Sequence, residues 1–403
     1  MTSSELTSLL EQASLRPDIH PLLRRALRIF LGQHPIKIRS LSDRERSGVH
    51  ASELRANLIY KVLSSFFNLR FEWSRSLPVF DSETLINIQT LNTYIEKLLS
   101  ELKPLYQIAD DILDHEVPGI NSHDQSHIRR VLNHIFELFQ ISQPLELTQD
   151  ALEILAIAQL SAVFHDLAQS ISGRVGHETV AARLFEMAAS TDRSFISQEM
   201  QRVTSSVARN VEQHTTRNFD FARIKQGRSQ QEIMAYALLV LADESDITNT
   251  RTTVTGLDLF LDPLNNPAID QWFYLNRFTK QSIWKVTDQG PEWCLFTSIG
   301  ETSARTEYQL RSERLEGKKK SKGKKKSQVR DVFKGVPGHI DLEMITVYRQ
   351  YFYANVLNSK KSNLFKSLCR QLFGITQFSV CFVYVEADED GTLIQREVRD
   401  FVY

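Results

Sequence analysis

The residues of this chain that could do chemistry are imidazoles and carboxylates at the edges of apolar helical segments in the middle of the sequence. They occur at five places: His127, His165 with Asp166, His177, His214 and Asp243. Imidazole nitrogens and carboxylate oxygens suit Mn, Fe or Zn, and also Mg where the nitrogens are few. Since burying such groups without a cation or a hydrogen-bonding partner is costly, the pattern predicts a divalent metal centre.

Helices must position these groups. The segment 122–138 has an apolar side formed by Val131, Ile135 and Leu138 at helical spacing. The segment 152–169, which contains His165 and Asp166, is apolar nearly all round and is therefore predicted to be buried. Helical bundles build metal centres from several helices that each deliver one or two side chains inward, and we expect that arrangement here.

The order H…HD…D resembles the HD superfamily of metal-dependent phosphohydrolases. Residues 127–131 (HIRRV) are similar to the family's HxxRV segment, 164–167 (FHDL) to its HD signature, and 177–182 (HETVAA) to an HExxGA-type segment. Residues 241–251 (LADESDITNTR) are similar to its ADxLD…R element. The resemblance covers roughly a third of the chain. It implies a helical HD-domain bundle that hydrolyses a phosphate ester.

The resemblance also implies a ligand set with one or two divalent ions, Mn, Mg, Fe or Zn. The first ion would be bound by His127, His165, Asp166 and Asp243. Asp166 would bridge two ions or orient the attacking water. His177 and His214 stand where two-metal members place ligands of the second ion, and where one-metal members place histidines that face the substrate.

The sequence also offers candidates for catalysis and for substrate binding. His123 stands four residues before His127, one helical turn away on the same side. That spacing resembles the HxxxH of cyclic-nucleotide phosphodiesterases, in which the first histidine is the general acid. The catalytic candidates are therefore Asp166, His123, His177 and His214. Arg130 and Arg251 are the candidates for binding the substrate's phosphate, since a guanidinium matches phosphate geometry.

The chain departs from the family pattern at a few positions. Ala168 and Gln169 follow the HD signature, where many HD enzymes have Gly and Lys, or a Glu. The missing lysine removes a cation that could hold a phosphate oxygen. Ser245 replaces the usual apolar residue of the last element. None of these changes removes a ligand, but they leave the substrate class open.

The expected function is that of a metal-dependent phosphoric ester hydrolase. Its substrate would be a small phosphorylated molecule, a nucleotide or a nucleotide-like signalling molecule, attacked by metal-activated water. A second hypothesis is an HD-type nuclease in which the lysine-rich stretch 317–327 contacts the nucleic-acid backbone. A third is a non-catalytic, metal-binding regulatory protein whose N-terminal helices bind a protein partner.

Composition limits the other function classes. The net charge is −1, and seven lysines lie in 317–327, so the rest of the chain is mildly acidic and has no global basic field. The three cysteines show no CxxC spacing, which argues against a disulfide framework or a thiolate zinc site. The N-terminus lacks a signal-peptide pattern, and the apolar stretches are too short to span a bilayer. We therefore expect a cytoplasmic protein without membrane contact.

The pattern along the chain predicts a mainly α protein in three parts. Residues 1–106 read as a helical N-terminal region, and Leu91, Ile95, Leu98 and Leu102 share one side of its last helix. Residues 107–262 form the HD domain. Residues 263–403 form a small α+β domain that includes the lysine-rich loop 317–327. Its strand signals are two hairpins, one around TDQGPE and one around ADEDG, with helical periodicity between them at 342–373.

Overall fold

The computed structural model describes residues 85–116, 125–142, 148–167, 177–179, 181–182, 185, 198–214, 221–251, 267–306, 339–375, 377–387 and 392–402. This part of the chain is mainly helical and contains a four-stranded mixed sheet. The predicted class, mainly α with a smaller α+β part, is confirmed at that level. The lysine-rich stretch 317–327, His123 and the helices predicted before residue 85 lie outside the described residues.

Contacts between residues divide the chain into two compact units. The helices of the first unit are α1 (Ile88–Glu116), the start of α2 (Gln125–Ser142) through Ile128, α3 (Gln149–Phe164) and α4 (Gln198–Gln213). The domain boundaries predicted at 106 and 262 remain predictions. In the described residues, none of the helices combines the length and the apolar character that a bilayer span requires.

Helix α3 is the centre of the first unit. It begins at Thr148, whose side chain accepts a hydrogen bond from the Ala151 amide, the usual solution for a free N–H at a helix start. Every residue from Ala151 to Phe164 is buried, as its apolar character on all sides predicts. Its buried Glu153 forms an ion pair with Arg202 of α4. The chain leaves this helix directly at the His-Asp pair.

Helix α1 packs through a single apolar stripe. The four residues predicted to share one side, Leu91, Ile95, Leu98 and Leu102, are each at most 3% exposed. The prediction for this helix is therefore confirmed. The stripe continues one turn further to Tyr106, which is also fully buried.

The second unit contains the helical residues 302–306, the remainder of α2 and five further helices of the described chain. These are α5 (Phe221–Lys225), α6 (Gln230–Ser245), α7 (Pro267–Phe278), α8 (His339–Asn355) and α9 (Ser359–Phe373). Helix α6 begins with a capping box between Ser229 and Glu232, and each side chain bonds the other residue's backbone N–H. A short 3-10 helix, Asn249–Arg251, follows α6.

The sheet of the second unit has the order β1-β2-β3-β4, with β1 (Thr279–Thr287), β2 (Gly290–Thr297), β3 (Phe378–Ala387) and β4 (Leu393–Val402). Both predicted hairpins are present, since β1 pairs antiparallel with β2 and β3 with β4. The two hairpins join through parallel pairing of β2 with β3, which the sequence did not predict.

One face of the sheet carries an aromatic core. Trp284 and Trp293 stack with ring centroids 5.6 Å apart. Trp293 also contacts Phe352 of α8 and Phe365 of α9. Alternation of side chains along a strand places neighbouring residues of these strands on the opposite face, where Cys294 and Cys381 lie.

Candidate metal centre

The carboxylate of Asp166 is surrounded by four imidazoles within the first unit. Its Oδ2 lies 3.3 Å from Nε2 of His165 and 3.5 Å from Nε2 of His127. Its Oδ1 lies 3.2 Å from Nε2 of His177 and 3.7 Å from Nε2 of His214. All five side chains are buried, at most 5% exposed. The structure thus brings together five of the site residues predicted from the sequence.

Each of the five residues stands at or near a helix end. His127 is the third residue of α2, and His165 and Asp166 follow the last residue of α3. His177 opens the helical residues 177–179, and His214 follows the last residue of α4. Helix ends allow a polar side chain to reach a shared point while the apolar body of the helix stays packed.

Two of the imidazoles have their orientation set by an acceptor at Nδ1. Nδ1 of His165 lies 2.7 Å from the Ala162 carbonyl oxygen, and Nδ1 of His214 lies 2.7 Å from that of Val211. A carbonyl oxygen only accepts hydrogen bonds, so Nδ1 of both rings must carry the proton. In the neutral rings, Nε2 then presents a lone pair towards Asp166. Nδ1 of His177 lies 3.2 Å from the Glu178 carboxylate, a contact of ion-pair length without hydrogen-bond geometry.

The Nε2 atoms of His177 and His214 face each other at 3.3 Å. Nε2 of His214 is an acceptor in the neutral ring, so it faces either a proton on Nε2 of His177 or a cation. The Asp166 carboxylate beside both rings adds a buried negative charge, which favours a cation at this point. Metal-bound histidines commonly donate their other ring N–H to a carbonyl or carboxylate, as His165 and His214 do.

The distances are those expected of ligands around an ion. One ligand atom each from Asp166, His177 and His214 lie within 4.8 Å of one another, and the same holds for His127, His165 and Asp166. Nitrogen and oxygen ligands each about 2.1 Å from a common zinc ion lie roughly 3–3.5 Å apart. The buried His/Asp group can therefore hold a metal ion, as the sequence predicted at this coarse level.

Tyr106 is a residue of this region that the sequence analysis missed. Its hydroxyl donates a hydrogen bond to the Val163 carbonyl oxygen, which ties α1 to the last turn of α3. Burial, together with the nearby Asp166 carboxylate, raises the pKa of Tyr106 well above its ordinary value, so the phenol stays neutral. The available signal was its place four residues beyond Leu102 in the apolar stripe of α1.

Asp243, the predicted fourth ligand, lies half-buried in the last turn of α6 in the second unit. Two residues later stands Ser245, at the position where the HD pattern has an apolar residue, and the structure shows what its hydroxyl does. Its buried hydroxyl donates to the Leu241 carbonyl and accepts the indole N–H of Trp284 at 2.7 Å. Lys361 of α9 binds both oxygens of Glu244 at 2.7 Å. The turn that carries Asp243 is therefore attached to β1 and α9.

The two predicted phosphate-binding arginines both contact Asp246, within the second unit. Nε of Arg130 lies 2.7 Å from Oδ1 of Asp246. Nη1 of Arg251 donates to the Asp246 carbonyl at 2.7 Å and lies 3.7 Å from its Oδ2. Asp246 is buried, so these contacts neutralise a carboxylate that would be costly alone. Their predicted role in substrate binding remains a prediction beside this structural role.

A scan against models of protein families and searches of curated proteins and of solved structures found no match for this chain. The resemblance to the HD superfamily therefore rests on the four sequence segments given above. The role of His123 remains a prediction on a residue outside the described chain.

Proposed function

We propose that this protein is a metal-dependent phosphohydrolase of the HD type that hydrolyses a phosphoester of a nucleotide or a nucleotide-like signalling molecule. The observation that supports this most is the buried Asp166 carboxylate with four Nε2 atoms 3.2–3.7 Å from its oxygens. In this proposal the ligands of the first ion are His127, His165, Asp166 and Asp243. His177 and His214 bind a second ion with Asp166.

The chemistry of a bound divalent ion in such a site is to make a water acidic enough to attack phosphorus and to neutralise charge on the non-bridging oxygens. The protein's own residues supply orientation. The acceptors at Nδ1 keep the Nε2 atoms of His165 and His214 aimed at Asp166. The Asp166 carboxylate would orient the attacking water by accepting its hydrogen bond, since a carboxylate oxygen can accept more than one.

Proton transfer to the leaving oxygen needs a nitrogen acid near the reacting phosphate. His123 has this role in the proposal; with a single bound ion, His177 and His214 would face the substrate instead and either could supply the proton from Nε2. Arg130 and Arg251 bind the phosphate oxygens. The apolar surroundings of α3 limit bulk water around the group and so strengthen its charge interactions.

The test is metal content and hydrolysis in the wild type and in a pair of variants from the same region. Asp166→Ala removes the central carboxylate, whereas Asp150→Ala makes the same change at an exposed position on the first turn of α3. Each protein is assayed for bound metal, and then with Mn²⁺ or Mg²⁺ against phosphomonoesters, nucleoside di- and triphosphates, cyclic nucleotides, and single- and double-stranded nucleic acid.

The wild type and Asp150→Ala should bind metal and hydrolyse a nucleotide-type ester, and Asp166→Ala should lose both properties. Metal retained by Asp166→Ala would show that the centre lies elsewhere. Hydrolysis of nucleic acid alone would identify the nuclease instead. Metal binding without turnover of any substrate in the panel would leave a non-catalytic metal-binding protein and overturn the proposed activity.

A further inference from the structure

Two cysteines lie side by side in the middle of the sheet of the second unit. Cys294 on β2 and Cys381 on β3 are register partners in the parallel pair. Both side chains are fully buried, and both thiols are free. Their sulfur atoms lie within 4.8 Å of each other. The sequence did not indicate this pair, because 86 residues separate the two positions in a chain without CxxC spacing.

The charges next to the thiols favour a thiolate over a metal cation. The buried carboxylate of Glu292, two residues before Cys294, is within 4.8 Å of both sulfurs. Lys285 Nζ lies 3.0 Å from Oε1 of Glu292. Oε2 of Glu292 accepts a hydrogen bond from Arg399 and another, 3.0 Å long, from the Ser379 hydroxyl. Since these donors occupy the carboxylate and bring two positive charges, a divalent ion would be poorly accommodated.

The two sulfurs are electrostatically unequal. The hydrogen bond with Cys294 lowers the pKa of Cys381; burial and the Glu292 and Glu397 carboxylates oppose this shift, and the Arg399 guanidinium adds to it, so that the pKa stays below its ordinary value. The same hydrogen bond, together with burial, raises the pKa of Cys294. Cys381 is therefore the better nucleophile, and Cys294 remains a thiol that can react in a second step.

We propose that Cys294 and Cys381 form a reversible dithiol–disulfide pair that is oxidised by hydroperoxides and reduced by small thiols. The Cys381 thiolate attacks a peroxide oxygen, the O–O bond breaks, and the leaving oxygen takes a proton and departs as water or an alcohol. Cys294 then attacks the resulting sulfenic sulfur, loses its proton and forms the S–S bond, and the sulfenic oxygen leaves as water. Two external thiols reverse the reaction and become a disulfide themselves.

The backbone already has a spacing that a disulfide accepts. Neighbouring strands lie about 4.7–4.9 Å apart, and disulfides join Cα atoms about 4.4–6.8 Å apart. Lys285 on β1 and Arg399 on β4 flank the pair on the same face of the sheet, and their side chains are 42% and 39% exposed, so peroxide would reach the buried sulfurs from this face when those side chains move aside. The bond would link the two hairpins across β2 and β3, and oxidation should therefore raise the Tm of the second unit.

The third cysteine supplies the control. Cys369 lies in α9, and burial raises its pKa, so it should react slowly. The folded full-length protein is treated with hydrogen peroxide, then denatured and quenched with iodoacetamide, and analysed by intact mass and peptide mapping. We expect an intramolecular link between the Cys294 and Cys381 peptides, a mass decrease of about 2 Da, reversal by dithiothreitol, and alkylated Cys369 throughout.

Two variants separate the steps of the reaction. Cys369→Ala should form the disulfide as the wild type does. Cys294→Ala should stop at a Cys381 sulfenic acid that dimedone traps, because the second sulfur is missing. Links that involve Cys369, or no disulfide in the folded wild type, would overturn the proposal, and neither result depends on the folding of Cys294→Ala. Zinc bound by Asp166→Ala but lost after a further Cys294→Ala change would also overturn it, since the pair would then be a metal site.

Discussion

Metal should decide which is the more stable protein, the wild type or Asp166→Asn: the variant without metal, and the wild type with it. Asparagine keeps the shape of aspartate but replaces a carboxylate oxygen by an amide N–H donor. Nε2 atoms lie 3.2–3.7 Å from the two oxygens, and those of His165 and His214 present lone pairs when the ring is neutral. In the metal-free protein the amide can donate where the carboxylate could only accept.

The size of the effect follows from one gained hydrogen bond and one lost metal site. A buried hydrogen bond contributes about 0.5–1.5 kcal/mol, so the metal-free variant should be more stable than the metal-free wild type by about 1 kcal/mol. Metal at about 100 times its Kd stabilises the wild type by about 2.7 kcal/mol. If the variant binds no metal, the unfolding free energy of the wild type in the presence of metal should therefore exceed that of the variant by roughly 2 kcal/mol.

Urea unfolding followed by circular dichroism measures both differences, with each protein studied in excess Mn²⁺ and again in excess chelator. Chelator should lower the unfolding free energy of the wild type and leave that of Asp166→Asn unchanged. A metal-free variant less stable than the metal-free wild type would refute the reasoning, because it would show that the imidazoles already donate protons to Asp166.

Three further predictions concern the second unit. Ser245→Ala should lower its unfolding free energy by about 1–3 kcal/mol in urea, because the buried Trp284 indole N–H loses its acceptor. Gly300→Ala should prevent the native pairing, since a Cβ there would lie 1.6 Å from the Val385 carbonyl oxygen at φ +90°, and the soluble yield and Tm should fall sharply. Burial alone would raise the pKa of Glu292, but its hydrogen bonds hold it below the ordinary 4.5. Its stabilisation should therefore be complete above about pH 5 and disappear as pH falls through the lowered pKa, as urea titrations at several pH values can show.

Each of these predictions has a matched control. Ser367→Ala removes a hydroxyl from an exposed part of α9 and should change stability by less than about 0.5 kcal/mol. Gly227→Ala places a Cβ in open space at φ +70° and should cost only about 1–2 kcal/mol. Glu292→Gln should remove the acid-dependent part of the stability curve. An equal loss of stability in Ser245→Ala and Ser367→Ala, or in Gly300→Ala and Gly227→Ala, would contradict the explanation for that pair. The explanation for Glu292 would be contradicted if Glu292→Gln lost stability at low pH as the wild type does.

Much of the architecture followed from local patterns in the sequence. The apolar stripe of α1 and the apolar surface of α3 on all sides predicted which residues are buried, because helical periodicity repeats every few residues. The turns TDQGPE and ADEDG predicted both hairpins, because a short turn makes adjacent strands pair. The residue types and order of His127, His165, Asp166, His177 and His214 predicted that they would share a site.

The remaining features depend on contacts between distant parts of the chain, which only the tertiary structure decided. The parallel pairing of β2 with β3 placed Cys294 beside Cys381. The packing of α6 against β1 made Ser245 an acceptor for Trp284. Carbonyl acceptors at Nδ1 determine which ring nitrogen His165 and His214 turn towards Asp166, and a list of residue types contains no such information. Spacing along a chain specifies which surface is apolar, whereas the partner of that surface is selected by the free energy of burial over the whole fold.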